Sequence, residues 1–307
     1  MSEKKPVITV DLGGTNLRIA LVENNKVINR VMHPTPRGAE AIVGLIAKQA
    51  LELAEKEVAG IAIAAPGTAS PQMDRLSKAP NLPELNDYPM AAEITEQTKF
   101  PCIVENDAHV YAMGEVFYGA ARGLHTVVVY TLGTGVGGGI VLNGKLWRGV
   151  NGAAAELGHV SINEIGHLCS CGARGCLETF ASATAMARLA KKYGSNITTA
   201  REAYEQANMG DKPAQQAFVR AGSALGIAIA AILNTLNPQA VVIGGGGSSA
   251  YSLLEPEIEK QLKVRAFPAA LENFKLLKCT LGNDAALLGG AALIYETFET
   301  QARAALK

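Results

Sequence analysis

The chain has 307 residues, 48% of them hydrophobic, with 28 Lys+Arg balanced by 28 Asp+Glu, 32 Gly, five Cys and one Trp. At about 100 to 200 residues per domain this length predicts two domains with ample buried core, and the zero net charge without a basic block argues against nucleic-acid or anionic-membrane binding. An odd number of cysteines, three of them crowded into 169–176, argues against a disulfide scaffold and for a reducing compartment.

The charged start, Met1 to Pro6, runs straight into Val7-Ile-Thr-Val10, which leaves no room for a signal peptide and predicts a cytoplasmic protein. Apolar alternation predicts strands over Val7–Asp11, Leu17–Val22 and Lys26–Met32, the last two joined at Asn24-Asn25, a pair that tolerates positive backbone angles. Ile42, Leu45, Ile46, Ala50 and Leu53 recur at helical spacing and predict a helix over Ala39–Glu57. A buried strand over Val58–Ala65 follows, then a helix over Met90–Lys99, a strand over Cys102–Glu105 and a helix over Ala108–Gly119.

The pattern then restarts. Strands are predicted at Thr126–Leu132, Gly139–Leu142 and Lys145–Trp147, the last two joined by the hairpin signal Asn143-Gly144. Helices dominate Glu178–Asn237, where the weakly polar run Ala224–Leu236 falls short of the about 20 apolar residues that span a bilayer. A strand at Ala240–Ile243, a helix near Leu253–Val264, a strand at Phe274–Lys278 and a terminal helix from about Asp284 complete the chain. The order βββαβαβα thus occurs twice, implying two like α/β halves with a ligand cleft beyond the carboxyl ends of their strands.

Four segments carry candidate chemistry. In Asp11-Leu-Gly-Gly-Thr-Asn16, Gly13 and Gly14 allow backbone N–H groups to approach an anion, Thr15 adds a hydroxyl and Asp11 could hold a cation through water. Thr131-Leu-Gly-Thr-Gly-Val-Gly-Gly-Gly139 repeats the strand-then-glycine arrangement in the second half, and no Gly-Lys-Ser/Thr follows to make it a P-loop. Gly244-Gly-Gly-Gly-Ser248 joins a strand to a helix and would admit a flat ring or a phosphate against free N–H donors. Glu105-Asn106-Asp107 sits at a strand-to-helix junction. Asn or Asp there is ordinarily an N-cap, but Asp107 could also take a proton from a hydroxyl while Asn106 orients the substrate.

The most specific signal is Glu156-Leu-Gly-His159 followed by Cys169-Ser-Cys171-Gly-Ala-Arg-Gly-Cys176-Leu-Glu178. Three thiols and a histidine form a closed tetrahedral zinc set, with His159 and His167 both available as the fourth ligand. Such a metal would brace a loop rather than activate water. Glu156 and Glu178 at the two ends of that loop could accept hydrogen bonds from sugar hydroxyls. His33, His109 and His125 show no partner in the sequence, and Cys102 and Cys279 read as core residues.

In these motifs the chain resembles sugar kinases of the ROK family, within the two-domain actin-like and hexokinase-like, ribonuclease H-like ATPase fold. The resemblance implies Mg-ATP phosphates at Asp11, Gly13, Gly14, Thr15 and Asn16, a second phosphate turn at Thr131, Gly133, Thr134 and Gly135, and an adenosine turn at Gly244, Gly245, Gly246 and Gly247. It implies a catalytic base at Asp107, sugar contacts at Asn81, Asn106, Glu156, His159 and Glu178, and a structural zinc held by His159, Cys169, Cys171 and Cys176, so that it chooses His159 over His167. The implied reaction is ATP-dependent phosphorylation of a hexose at its 6-hydroxyl, with glucose the commonest match and mannose, fructose, N-acetylglucosamine, N-acetylmannosamine and allose as other acceptors. A homodimer is implied, with domains at 1–118 plus about 290–307 and at 119–289. Sugar-responsive repressors of the same family carry an added N-terminal DNA-binding domain, for which no room precedes Asp11 here. The chain departs from the commonest family pattern at Leu82-Pro-Glu-Leu-Asn-Asp-Tyr88, where many relatives carry a Trp, and at His109, where Asn is frequent.

Overall fold

A computed structural model describes residues 4–54 and 57–305 of the protein. The first half forms β1 (Val7–Leu12), β2 (Asn16–Glu23), β3 (Lys26–Pro34), α1 (Ala39–Leu53), β4 (Ile61–Ala65), a small hairpin of β5 (Thr68–Ala69) and β6 (Leu76–Lys78), α2 (Met90–Thr98), β7 (Cys102–Asn106) and α3 (Asp107–Phe117). The second half forms β8 (Val127–Leu132), β9 (Val136–Leu142), β10 (Lys145–Leu146), α4 (Glu178–Ala181), α5 (Ala183–Lys192), α6 (Ala200–Asn208), α7 (Lys212–Leu236), β11 (Ala240–Gly244), α8 (Tyr251–Arg265), β12 (Lys275–Lys278) and α9 (Ala285–Ala305).

The duplication expected from the element order is present in the sheets. One runs β3-β2-β1-β4-β7 and the other β10-β9-β8-β11-β12. In each, an antiparallel meander supplies the first three strands and two parallel strands are added on the other side of the first. Asn24 and Asn25 adopt φ of 50° and 62°, the paired positive angles that a tight hairpin requires.

Between the two sheets lie α3 and α9. Their shared core joins Ala62, Ala64 and Ile103 of the first sheet to Val127, Val129 and Val141 of the second through Val110, Met113, Leu293 and Ile294. The glycine run of the second half belongs in part to this packing. A Cβ on Gly137 would stand 2.8 Å from the Ala108 methyl, and one on Gly139 would stand 2.4 Å from that of Ala112. β9 therefore begins three residues earlier than the sequence predicts, because α3 lies on its glycines as a helix lies on a bare strand.

Other boundaries moved for local reasons. β4 begins at Ile61 rather than Val58, since Gly60 is pressed against the Pro101 carbonyl, 2.9 Å from where a Cβ would stand. The helix predicted to Glu57 is described only to Leu53, and residues 55–56 lie outside the described part of the chain. The β5–β6 hairpin was not expected, because two- and three-residue strands offer no periodicity to read. At 25 residues α7 is longer than the apolar run Ala224–Leu236 and, by length and composition alone, could cross a bilayer. Its buried face, with Phe218, Leu225 and Ile229, is instead part of the core of the second half.

Candidate active site

The junction of β7 and α3 organises the site. β7 runs parallel to β4, with Asn106 opposite Ala65, so the strand end is fixed by sheet register. The Asn106 side chain caps α3: its Oδ1 accepts from the Ala108 and His109 N–H groups at 2.9 and 3.1 Å. Its Nδ2 donates to the Gly67 carbonyl at 2.8 Å, tying the loop after β4 to the helix start. Asp107 is the first residue of α3, and its Oδ1 accepts from the Ala108 N–H at 2.8 Å. Burial raises the Asp107 pKa above the ordinary aspartate value, the nearby Asp11 charge adds to this, and the Ala108 N–H opposes it.

Two cavities meet at this helix start. One, of about 520 Å³, is lined by Asp11, Arg18, Tyr111, Ser248, Lys278, Thr280 and Asn283. The other, of about 690 Å³, is lined by Gly67, Lys78, Asn81, Asn106, the turn Gly133–Gly135, Glu156, His159 and Glu178. Asp107, Ala108, Thr131, Gly245 and Gly246 line both.

The expected glycine sets divide on inspection. Gly245 adopts φ of 74° and a Cβ there would stand 2.5 Å from the Leu132 carbonyl oxygen, so only glycine fits where the two cavities meet. Gly244 is backed by the Tyr111 ring and Gly247 by Leu132, and neither lines a cavity. Gly13, Gly14, Thr15 and Asn16 also stand outside both cavity linings, and a Cβ on Gly14 would stand 3.8 Å from that of Asn81. The Gly13 N–H is already donated to Asn16, and Thr35 clasps the same turn through Gly13 and Thr15.

Asp11 and Arg18 face each other across the β1–β2 ladder and form an ion pair, and Arg18 also donates to the Asn283 carbonyl at 3.3 Å. Asp11 thus places a carboxylate in the lining of the first cavity. That donor suits a magnesium ion, which takes one or two protein carboxylates together with phosphate oxygens.

The thiol cluster assembles as expected. Ligand atoms of His159, Cys169, Cys171 and Cys176 all lie within 4.8 Å of one another. His159 Nδ1 is 3.6 Å from Cys169 Sγ, and Cys171 Sγ is 3.6 Å from Cys176 Sγ. Tetrahedral zinc with bonds of about 2.3 Å to sulfur needs sulfurs about 3.8 Å apart, so the set fits the metal. His167 lies elsewhere, exposed, with its Nε2 against Arg188 at 3.1 Å. The remaining nitrogen of His159, Nε2, faces Glu156 at 4.0 Å, so one ring looks toward the thiols and toward the second cavity. Glu178 accepts from the Val136 N–H at 3.0 Å and from the Cys169 thiol at 3.8 Å, joining the thiol loop to the second glycine turn.

Several residues on which the site depends were not singled out from the sequence. Among the histidines without an evident partner, His109 is 2% exposed and has two: Glu105 at 3.0 Å and the Ala154 carbonyl at 3.0 Å. Arg148 donates to the other Glu105 oxygen. His33 meets Gln49 at 3.2 Å. Glu115, wholly buried, accepts from the N–H groups of Ala120, Thr280 and Leu281 and so fixes a wall of the first cavity. Arg18 and the Asp11–Arg18 pairing were legible in principle, since the hairpin register places them opposite. Glu105 and Ala120 are near neighbours in sequence, but the second partner of His109, the Ala154 carbonyl, and the Thr280 N–H on Glu115 are 45 and 165 residues away and carry no local signal.

Residues 7–297 of the chain match the sequence model of the ROK family. A glucokinase from Thermotoga maritima is 35% identical, with 95% of this chain and 98% of that protein covered. Among solved structures, a ROK hexokinase from Thermus thermophilus superposes with a TM-score of 0.85 at 30% identity, covering 96% of this chain and 99% of that one. A ROK family glucokinase from Streptomyces griseus, solved with glucose and AMPPNP, gives a TM-score of 0.80 at 31% identity, covering 94% and 98%.

Proposed function

This chain belongs to the ROK family, and from that premise we propose that it transfers the γ-phosphoryl group of ATP to the 6-hydroxyl of glucose, giving ADP and glucose 6-phosphate. The observation that carries this reading is the shared lining of the two cavities. Asp107 and Thr131 stand where a nucleotide in the first cavity and a sugar in the second would meet.

In this reading Asp107 accepts the proton of the 6-hydroxyl as that oxygen attacks the γ-phosphorus. Its raised pKa brings it closer to the proton it must hold, and the first turn of α3 keeps the carboxylate aimed. Asn106 holds the sugar loop through Gly67 and itself lines the second cavity. Asn81, Glu156, His159 and Glu178 line the sugar side, and carboxylate and imidazole groups suit a ring of hydroxyls. Thr131 and the turn Gly133-Thr134-Gly135 would grip the phosphates from one side, and Gly13, Gly14, Thr15 and Asn16, which stand outside both linings, would reach them from the other only once the two halves close. Gly245 and Gly246 pass beneath the adenosine, with Gly244 and Gly247 shaping that turn from behind. Magnesium at Asp11 would supply charge neutralisation on the phosphates. Zinc at His159, Cys169, Cys171 and Cys176 would fix the loop that presents Glu156 and His159.

The division into 1–118 plus about 290–307 and 119–289 belongs to the same reading, as do a homodimer and residence in the cytoplasm. Closing the halves on bound sugar would exclude water that could otherwise accept the phosphoryl group. The test is a coupled ADP-release assay with Mg-ATP against glucose, mannose, fructose, allose, N-acetylglucosamine and N-acetylmannosamine, with a no-sugar control and identification of the product. Turnover dominated by glucose supports the proposal. A preference for an N-acetylhexosamine overturns the substrate, and no turnover with any sugar overturns the reaction.

A further inference from the structure

The chain from Arg148 to His159 carries two of the residues that line the second cavity, yet it belongs to no regular element until the short turn at Leu157–His159. Something outside it must hold it. Ala155 adopts φ of 62°, a left-handed conformation unusual for a residue with a side chain, immediately before Glu156. The residue before it, Ala154, has its carbonyl 3.0 Å from His109 Nε2 on the first turn of α3. A carbonyl oxygen only accepts, so that nitrogen carries a proton.

The other ring nitrogen, Nδ1, lies 3.0 Å from Glu105 Oε1, which also accepts from the Asn106 N–H at 2.8 Å. Glu105 Oε2 accepts from Arg148 at the start of the same loop. Three donors converge on the Glu105 carboxylate, which is therefore ionised. His109 faces an acceptor on each side and is held as imidazolium. Both side chains are buried, and neither faces a cavity.

We infer that His109, oriented by Glu105, is a positioning residue for the sugar: it clamps the Ala154 carbonyl, and with Arg148 holds the strained turn that aims Glu156 and His159 into the cavity. The five residues Glu105 to His109 then connect both sugar loops to the helix that carries Asp107. Asn106 holds the loop at Gly67, and His109 and Glu105 hold the loop from Arg148 to Ala154. The inference rests on the proposed hexose site, and its test separates the two.

Three variants at position 109 distinguish the contacts. Asn places its amide nitrogen near the position of imidazole Nδ1, whereas Gln reaches the position of Nε2. His109→Gln keeps a donor for Ala154, and His109→Asn and His109→Ala do not. In the coupled assay, Ala and Asn should raise the glucose KM about tenfold to a hundredfold, the scale of a displacement of about 1 Å at a reacting centre. Gln should recover most of that loss, and the ATP KM should stay within about twofold of the parent in all three.

The single tryptophan, Trp147, adjoins Arg148 and reports on the loop without any sugar. Its fluorescence anisotropy should fall in the Ala and Asn variants and recover with Gln. Unchanged glucose KM and anisotropy in all three variants, equal effects of Asn and Gln, or a parallel rise of the glucose and ATP KM values would each overturn the inference. If the parent turns over no hexose, the functional reading fails and the anisotropy series alone decides whether His109 holds the loop.

Discussion

Replacing Asp107 by Asn tests the proposed chemistry with the smallest change of shape. Asp107 Oδ1 accepts the Ala108 N–H at 2.8 Å, and the amide oxygen of Asn can keep that bond, so the start of α3 should survive. The substitution removes the buried charge that Asp11 repels and leaves no group able to take a proton. Glucose binding measured by calorimetry should therefore change little or tighten slightly. General-base catalysis contributes about 10²- to 10⁴-fold, so kcat should fall by that factor, which is about 2.7 to 5.4 kcal/mol of lost transition-state stabilisation. The pH profile adds a second signature. In the parent, the carboxylate must be ionised to act as base and its pKa is raised, so kcat/KM climbs as pH rises through a value above the ordinary about 3.9. In Asp107→Asn the residual rate should lose that acid limb. A variant that turns over within tenfold of the parent, or keeps the same acid limb, would refute the assignment of Asp107 as the base.

Other outcomes follow from the supporting shells of the site. Purified protein should contain one zinc per chain, and Cys171→Ser or a strong chelator should lower that content and raise the glucose KM more than the ATP KM; protein without zinc whose sugar affinity ignores Cys171→Ser would remove the metal from the account. Gly245→Ala forces a methyl into a φ of 74° against the Leu132 carbonyl, a strain of about 1 to 2 kcal/mol before any shift of the turn. Its ATP KM should rise about tenfold and its glucose KM by less, since the turn also borders the sugar cavity, and equal shifts in both would show that the turn serves neither substrate in particular. Glu115→Ala removes the buried carboxylate that accepts the part-buried hydrogen bonds of the Ala120, Thr280 and Leu281 N–H groups, bonds to a charged group worth about 1.5 to 3 kcal/mol each. Thermal unfolding should show a loss of about 3 kcal/mol or more, and a loss below about 1 kcal/mol would mean that water replaces the carboxylate.

Much of the fold is legible along the chain because it depends on neighbours in sequence. The apolar runs Val7–Asp11 and Leu17–Val22, the helical spacing of Ile42 to Leu53 and the repeated βββαβαβα order mark the elements, and the sheets bear this out, although β1 is buried on both faces rather than one. The thiol cluster is legible for the same reason: Cys169, Cys171 and Cys176 lie within one loop, and only His159 must be brought from outside it. The glycine turns are legible as segments, but sequence alone does not separate Gly245 and Gly246, which face the cavities, from Gly244 and Gly247, which make room for Tyr111 and Leu132.

What the sequence by itself determined is the set of local elements, their duplicated order and the residue types able to bind phosphate, sugar and metal, since hydrophobic period and turn chemistry act over a few residues. Only the tertiary structure decided which of these groups meet. The placement of α3 between two sheets brings Asp107 to the wall shared by both cavities, sets Glu115 beneath Thr280 and Leu281, and turns His109 from an unexplained histidine into the clamp on Ala154. These contacts span 45 to 166 residues of chain, and they form only when the two hydrophobic halves close on the helix between them, an event that no short-range pattern encodes.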